Sequence, residues 1–293
     1  MEYQISFEEF NRMNDHFVKF IFMNQKHKNL LISLINSIIK KVNFPSIDDV
    51  IFHDRELNPE HHKEKGGSVD VLCLANDGRI YNVEFQNEKE IFLINRIFYY
   101  MARFTINIRA GADYDEVKMV CNISFLNHRY FSDLDDNHYF HPFLPQHQIV
   151  KNYYLNNFSM FFVEIPKWEK VKPDIEHFTD LDVFLAFFSE KSSYEYLMEI
   201  AKRSEIMAQL MNLQEEYRNN FDLLQGYRTA EDYARDYRSV MNTNREEARE
   251  EGRNEEKQEM IINMIRENIP TPSIARVSGL TETRVEEIRA TLQ

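Results

Sequence analysis

One stretch constrains the fold more than any other: Ser68-Val69-Asp70-Val71-Leu72-Cys73-Leu74-Ala75, then Asn76-Asp77-Gly78, then Arg79-Ile80-Tyr81-Asn82-Val83-Glu84-Phe85-Gln86. Two alternating, β-rich runs flank a Gly-bearing tripeptide, and that pattern predicts a β-hairpin. With a three-residue loop, Asn76 and Asp77 form a type I turn and Gly78 takes the left-handed position, so Ala75 faces Arg79 and Asp70 faces Glu84. A two-residue Asp77-Gly78 loop would instead pair Asp70 with Phe85 and send the carboxylates to opposite faces. Side-chain parity favours the first register. It gathers Val69, Val71 and Cys73 with Tyr81, Val83 and Phe85, whereas the second mixes Asp70 into that apolar set. Directly opposed side chains share a face with Cβ atoms roughly 4.5–5.5 Å apart. Two like charges so placed repel each other. On spacing alone, Asp70 and Glu84 read either as a solvent-facing pair separated by neighbouring Lys and Arg or, with Gln86, as a site for a hard cation.

The rest of the chain is compatible with a sizeable core. A hydrophobic content of 43% with 13% aromatic residues excludes general disorder. The longest apolar run, Leu30 to Ile39, is interrupted by Ser33, Asn36 and Ser37, short of the ~18 residues of a membrane span. The acidic beginning, Met1 to Phe10, lacks the basic region of a secretory signal. Cys73 and Cys121 each sit in an apolar run, so buried reduced thiols in a cytoplasmic protein are expected. The net charge of -13 argues against a protein that coats nucleic acid but leaves room for a nuclease, because metal-binding carboxylates add to the negative count.

Periodicity orders the elements. Residues 15 to 40 read as a helix with a polar interruption at Asn24 to Asn29, and Val50 to Leu57 as a strand. The hairpin follows, then a helix from Ile91 to about Ile108, a buried strand from Val117 to Leu126, and another from Phe158 to Ile165 ended by Pro166. That succession is an α/β sheet with mixed pairing. Beyond Pro173 the pattern is helical. From Tyr227, the positions Tyr227, Ala230, Ala234, Tyr237, Met241, Asn244 and Ala248 alternate steps of three and four, as in a coiled-coil seam. The following Arg245/Arg249/Arg253/Lys257 and Glu247/Glu251/Glu255/Glu259 stripes suit a solvated helix. This segment reads as a charged spacer or as a short coiled coil making a homodimer. The expected division is a core at 1–172, a helical region packed on it at 173–225, the charged helix at 226–258, and a small helical element at 259–293.

Several of these stretches together resemble a known family. An Asp, a short hairpin and then Glu-x-Lys is the metal signature of the PD-(D/E)XK nucleases, and here Asp70, Glu84 and Gln86 stand at those positions. More narrowly, the chain resembles the bacterial Rpn family of recombination-promoting nucleases and transposases, in which Glu-x-Gln replaces Glu-x-Lys. The matching stretches are Asn14 to Phe22, Leu31 to Asn36, Tyr81 to Gln86, Arg96 to Tyr100, Gly111 to Tyr114 and Phe162 to Trp168. The resemblance implies a restriction-endonuclease-like core, a mixed central sheet flanked by helices, with a helical C-terminal extension. It implies Mg²⁺-dependent cleavage of DNA phosphodiesters, with Mn²⁺ or Ca²⁺ as alternative ions, in recombination, transposition or phage defence.

In that reading Asp70 and Glu84 are metal ligands, Gln86 positions water or phosphate, and Asp15 adds a carboxylate. Lys19, one helical turn beyond Asp15, supplies the charge that Gln86 lacks. Arg96, Tyr99 and Arg103 recur along one helix face, where Arg suits bidentate phosphate contacts and Tyr can stack on a base; the alternative is a solvated face with a partly buried tyrosine. The neutral Gln86 and the acidic charge favour the alternative, a catalytically degenerate nuclease-fold protein acting as a binding or scaffold partner of a mobile element. His61-His62, adjacent imidazoles in the polar Glu60-to-Gly67 loop, read as solvated in preference to metal ligands, and the scattered His138, His141 and His147 read the same way. Near the C-terminus, Ala275, Gly279 and Val285 have helix-turn-helix spacing. The segment that would enter DNA is Glu282-Thr283-Arg284 followed by Glu286 and Glu287, so a protein contact or small bundle competes with DNA reading.

Overall fold

The structure, a computed structural model, describes residues 5–52, 56–57, 67–68, 70–106, 113, 117–150, 153, 155 and 158–292. His61 and His62 lie outside these residues, as do Gly111 and Tyr114. The chain divides into a unit at Met1–Ala230 and a second at Glu231–Gln293.

The first unit opens with helix α1 (Asp15–Phe22), whose free amides are met by Asn14: its side chain accepts from the His16 and Phe17 N–H groups. The polar interruption becomes a 3₁₀ turn at Gln25–His27, and α2 (Lys28–Ile39) then buries Leu30, Leu31, Leu34, Ile35, Ile38 and Ile39. Asn43, at φ 59, reverses the chain after it, a left-handed position that Asn tolerates. The strands follow as β1 (Val50–Phe52), β2 (Glu56–Leu57), β3 (Gly67–Ser68), β4 (Val71–Ala75) and β5 (Ile80–Gln86). Helix α3 (Leu93–Ile106) crosses over to β6 (Val120–Leu126), and β7 (Phe140–Phe143) precedes β8 (Phe158–Glu164).

Among the described residues the main sheet has six strands in the order β1-β4-β5-β6-β8-β7, with β2 and β3 paired separately. β5, β6 and β8 run parallel, while β4, β1 and β7 are antiparallel to their neighbours. The hairpin has the three-residue loop. Ala75 and Arg79 close it, with Ala75 N–H donating to Arg79 O at 2.9 Å, and Gly78 takes φ 82. The register Val71↔Val83 and Cys73↔Tyr81, continued one residue, sets Asp70 opposite Glu84.

Both faces of the sheet are covered, which is why β6 is buried throughout. One face carries Val71, Cys73, Tyr81, Val83, Phe85, Cys121, Ile123, Phe125, Phe161 and Val163 into a core shared with α1 and α2. The other face packs Val120, Leu126, Met160 and Phe162 under Leu93, Ile97 and Met101 of α3. Polar side chains are buried in that second layer as well: Asn82, Glu84, Asn122 and Ser124.

Pro166 does more than end β8: it starts α4 (Ile165–Val171), since proline in the first helical turn forfeits no intrahelical bond. Next come α5 (Asp180–Phe188), opened by a Thr179–Asp182 capping box, α6 (Tyr194–Ala201) and α7 (Glu205–Arg218). Ser204, the N-cap of α7, separates the last two. Helix α8 spans Phe221–Arg266. Gly226 on α8 is required by close approach, because a Cβ there would run into the His16 ring.

In the second unit, α9 (Thr271–Ser278) and α10 (Glu282–Thr291) join through Gly279 at φ 69. Ile261, Ile265, Ile274, Ala275 and Val285 form its small core. Among the described residues no helix is long and apolar enough to cross a membrane.

Candidate functional site

The hairpin and α1 bring Asp15, Asp70 and Glu84 into one electrostatic cluster. Asp70 precedes β4, and its Oδ2 accepts the Phe85 N–H at 2.8 Å, which ties it to the strand bearing Glu84. Its pKa lies well above the ordinary carboxyl range. Burial is the main cause, followed by a hydrogen bond to Asp15, the Asp15 charge and the Glu84 charge; the Phe85 N–H opposes them. Carboxylates gathered this closely disfavour one another's charged forms, so Asp70 keeps its proton more readily than a free carboxyl does.

Glu84 is 3% exposed and is held on two sides. Asn82 Nδ2 donates to its Oε1 at 2.9 Å, while Gln86 Nε2 at 3.3 Å and Arg96 Nη2 at 3.1 Å donate to Oε2. Burial pushes the Glu84 carboxyl up, and Arg96 and Asn82 offset only part of that shift. Asn82 is itself fixed by the neighbouring strand: the same Nδ2 donates to Asn122 Oδ1 at 2.8 Å, and Asn122 Nδ2 donates to Ser124 Oγ at 2.8 Å. The β5–β6 register, Asn82↔Asn122 and Glu84↔Ser124, is what lines up this ladder.

The remaining expected site residues surround this pair. Lys19 donates to Asp15 Oδ2 at 2.6 Å, so its ammonium enters the cluster through Asp15. The Gln86 amide is turned onto Glu84 and not out to solvent. Arg96 bridges the sheet and the loop before α3, because its Nη1 also donates to Glu90 Oε1 at 2.9 Å. Two turns further along α3, Arg103 lies 5.8 Å from the centroid of the Tyr99 ring and donates to its hydroxyl at 3.3 Å.

Sequence reasoning missed Asn82, Asn122 and Ser124. The legible signal was parity, since Asn82 is two residues before Glu84 and shares its face. It also missed a second buried charge cluster at the end of β8. There Glu164 accepts the Tyr130 and Phe131 N–H groups at 2.5 and 3.0 Å, His141 Nε2 at 2.7 Å and Lys167 Nζ at 2.8 Å. His141 is thus a buried partner of Glu164, while His147 Nδ1 accepts the Ile149 and Val150 N–H groups and organises its own loop.

The groups gathered at Asp70 are the carboxylates of Asp15 and Glu84, oxygen ligands of the kind that hard divalent cations prefer. Among the described residues no three His, Cys, Asp or Glu side chains form a ready-made metal cage. The excess negative charge at Asp15, Asp70 and Glu84 is the property a cation would relieve.

No curated protein and no solved structure matches the chain. A family model described as a PD-(D/E)XK nuclease family transposase matches residues 12–244, a span that includes Asp15, the hairpin, α3 and the Glu164 cluster. The match covers well over half of the sequence, and the chain belongs to the PD-(D/E)XK nuclease family of transposases.

Proposed function

We propose that this protein is a metal-dependent DNA endonuclease in which Asp70 and Glu84 hold a divalent cation, Mg²⁺ in the first instance, with Asp15 contributing a third carboxylate. The observation that carries this reading is the hairpin register that sets Asp70 opposite the buried Glu84, with Asp15 beside Asp70 and the Asp70 carboxyl pushed well above its ordinary range. A bound divalent cation supplies Lewis-acid polarisation of a phosphate oxygen and a water of lowered pKa. The protein's own groups do the positioning. Asn82 and Gln86 fix the Glu84 carboxylate from two sides, and Lys19 restrains Asp15. Arg96, 31% exposed and paired with Glu84, has a guanidinium that can pass to a DNA phosphate, with Tyr99 and Arg103 extending the contact along α3.

The buried free thiols Cys73 and Cys121 support a reducing, cytoplasmic setting. The seam at Tyr237 and Met241, both exposed, supports pairing with a second copy along α8.

The competing reading, a catalytically silent scaffold, draws on one observation: Glu84 Oε2 is already engaged by both Arg96 and Gln86. Supercoiled plasmid incubated with Mg²⁺ or Mn²⁺ separates the two readings. Nicking by the wild type that is lost in both Asp70→Ala and Glu84→Ala is the expected result. No nicking with either metal would leave the scaffold.

A further inference from the structure

Helix α3 carries an outward stripe in which rings and guanidinium groups alternate. Arg96 N–H donates to Phe92 O at 2.9 Å, so Phe92 is in helical register with the residues that follow it. Phe92, Arg96, Tyr99 and Arg103 then recur at steps of four, three and four and share one face, apart from the buried Leu93, Ile97 and Met101. Phe92 is 73% exposed and Tyr99 41%. The stripe rises about 16 Å along the helix. It is joined to the carboxylate cluster, because Arg96 Nη2 donates to Glu84 Oε2 at 3.1 Å. At its far end the Arg103 guanidinium lies against the Tyr99 ring, 5.8 Å from the centroid. A single exposed phenylalanine needs no explanation. One in line with two arginines and a tyrosine, beside a candidate phosphodiesterase centre, has the composition of a stacking platform.

We propose that this face of α3 binds a DNA strand whose bases are unpaired, which makes single-stranded or locally melted DNA the preferred substrate over intact duplex. The proposal rests on DNA being the substrate of the Asp70–Glu84 centre. In a duplex the base faces are already stacked on one another, and a ring laid on its surface meets phosphates and hydrated grooves. An unpaired base offers an open π-face to Phe92 and Tyr99, while Arg96 and Arg103 meet the phosphates of the same strand. Charge separates the two substrates further. Duplex binding is dominated by phosphate attraction, of which a chain with a net charge of -13 has little to offer. Stacking on exposed rings does not depend on that attraction, and only the unpaired strand can use it.

Fluorescence anisotropy tests the proposal with the full chain in EDTA, using a labelled single strand of about 20 nucleotides and the same strand in duplex. The single strand is expected to bind about 10-fold more tightly or better. Phe92→Ala should weaken single-strand binding about 5-fold or more and change duplex binding less than about 2-fold, whereas Phe92→Trp, which keeps a stacking face, should retain the wild-type preference. A duplex bound as tightly as the single strand, no binding of either, or unchanged single-strand affinity in Phe92→Ala would each overturn it. Should Phe92→Ala fail to fold, Tyr99→Leu decides: weakened single-strand binding supports the platform and unchanged binding refutes it. Plasmid nicking in Mg²⁺ is read separately. A chain that nicks but has no preference for the single strand loses the platform alone, and one that prefers the single strand but never nicks loses the nuclease reading alone.

Discussion

Two glutamates are buried on the same sheet, two strands apart, and their surroundings treat them in opposite ways. Glu164 is fully enclosed, and burial alone would raise its pKa. The hydrogen bonds from Lys167, Tyr130 N–H, His141 and Phe131 N–H outweigh burial and leave it below its ordinary value. Glu84 is nearly as enclosed but stays above its ordinary value, since Arg96 and Asn82 only partly compensate burial. Asp70 beside it is shifted further in the same direction. A buried carboxylate with enough charged and backbone donors is a structural clamp, here on the loop that Lys167 also grips through Phe131 O at 2.7 Å. One with too few is poised to take another cation.

That contrast can be broken first by truncation. Glu164→Ala strands the Lys167 ammonium in the interior and should cost about 3–5 kcal/mol of stability in urea unfolding. Glu84→Ala should cost clearly less while abolishing plasmid nicking. Equal losses in the two variants would erase the distinction.

The pH dependence sharpens it. The folded state holds the Asp70 proton more tightly than the unfolded chain does. Its contribution therefore favours folding at pH below the unfolded carboxyl pKa and is lost as pH rises through the raised folded value. Glu164 runs the other way: its contribution is present above the unfolded pKa and is lost as pH falls through the lowered folded one. Asp70→Asn should thus stabilise the metal-free protein at neutral pH by about 0.5–2 kcal/mol, with cleavage lost. A neutral-pH stability no higher than wild type in chemical unfolding would show that Asp70 carries no such penalty.

Smaller effects follow from the supporting groups. Asn82→Ala removes the amide that links Glu84 to Asn122 and should lower metal affinity about 10–100-fold in Mn²⁺ titration, with little change in secondary structure. Gly226→Ala forces the His16 ring aside, and this overpacking should cost about 1–3 kcal/mol, partly offset by better helix propensity. Smallest in stability is the pair Tyr237→Glu and Met241→Glu on exposed positions of α8, each expected within about 0.5 kcal/mol of wild type. Light scattering should show a dimeric wild type and monomeric variants; a monomeric wild type would remove the homodimer.

The hairpin was legible because its determinants are local. Parity along each run and the left-handed demand at Gly78 together set the register, and the structure has that register. The parallel strands at Val120–Leu126 and Phe158–Glu164 were legible from their apolar runs. β7 was not, because Phe140-His141-Pro142-Phe143 has neither length nor alternation, and it exists by pairing with β8. The Asn82–Asn122 contact joins residues 40 positions apart, and His141–Glu164 joins residues 23 apart. No local pattern encodes either.

The sequence by itself determined which residue types face each other across the hairpin, and through them the carboxylate pair Asp70 and Glu84. Only the tertiary structure decided what becomes of those carboxylates. It placed Asp15 against Asp70, turned Gln86 and Arg96 onto Glu84, and surrounded Glu164 with donors. The physical reason is that a carboxylate's protonation and chemistry depend on desolvation and on every donor and charge within a few ångströms. Those neighbours are assembled by packing between elements distant in the chain.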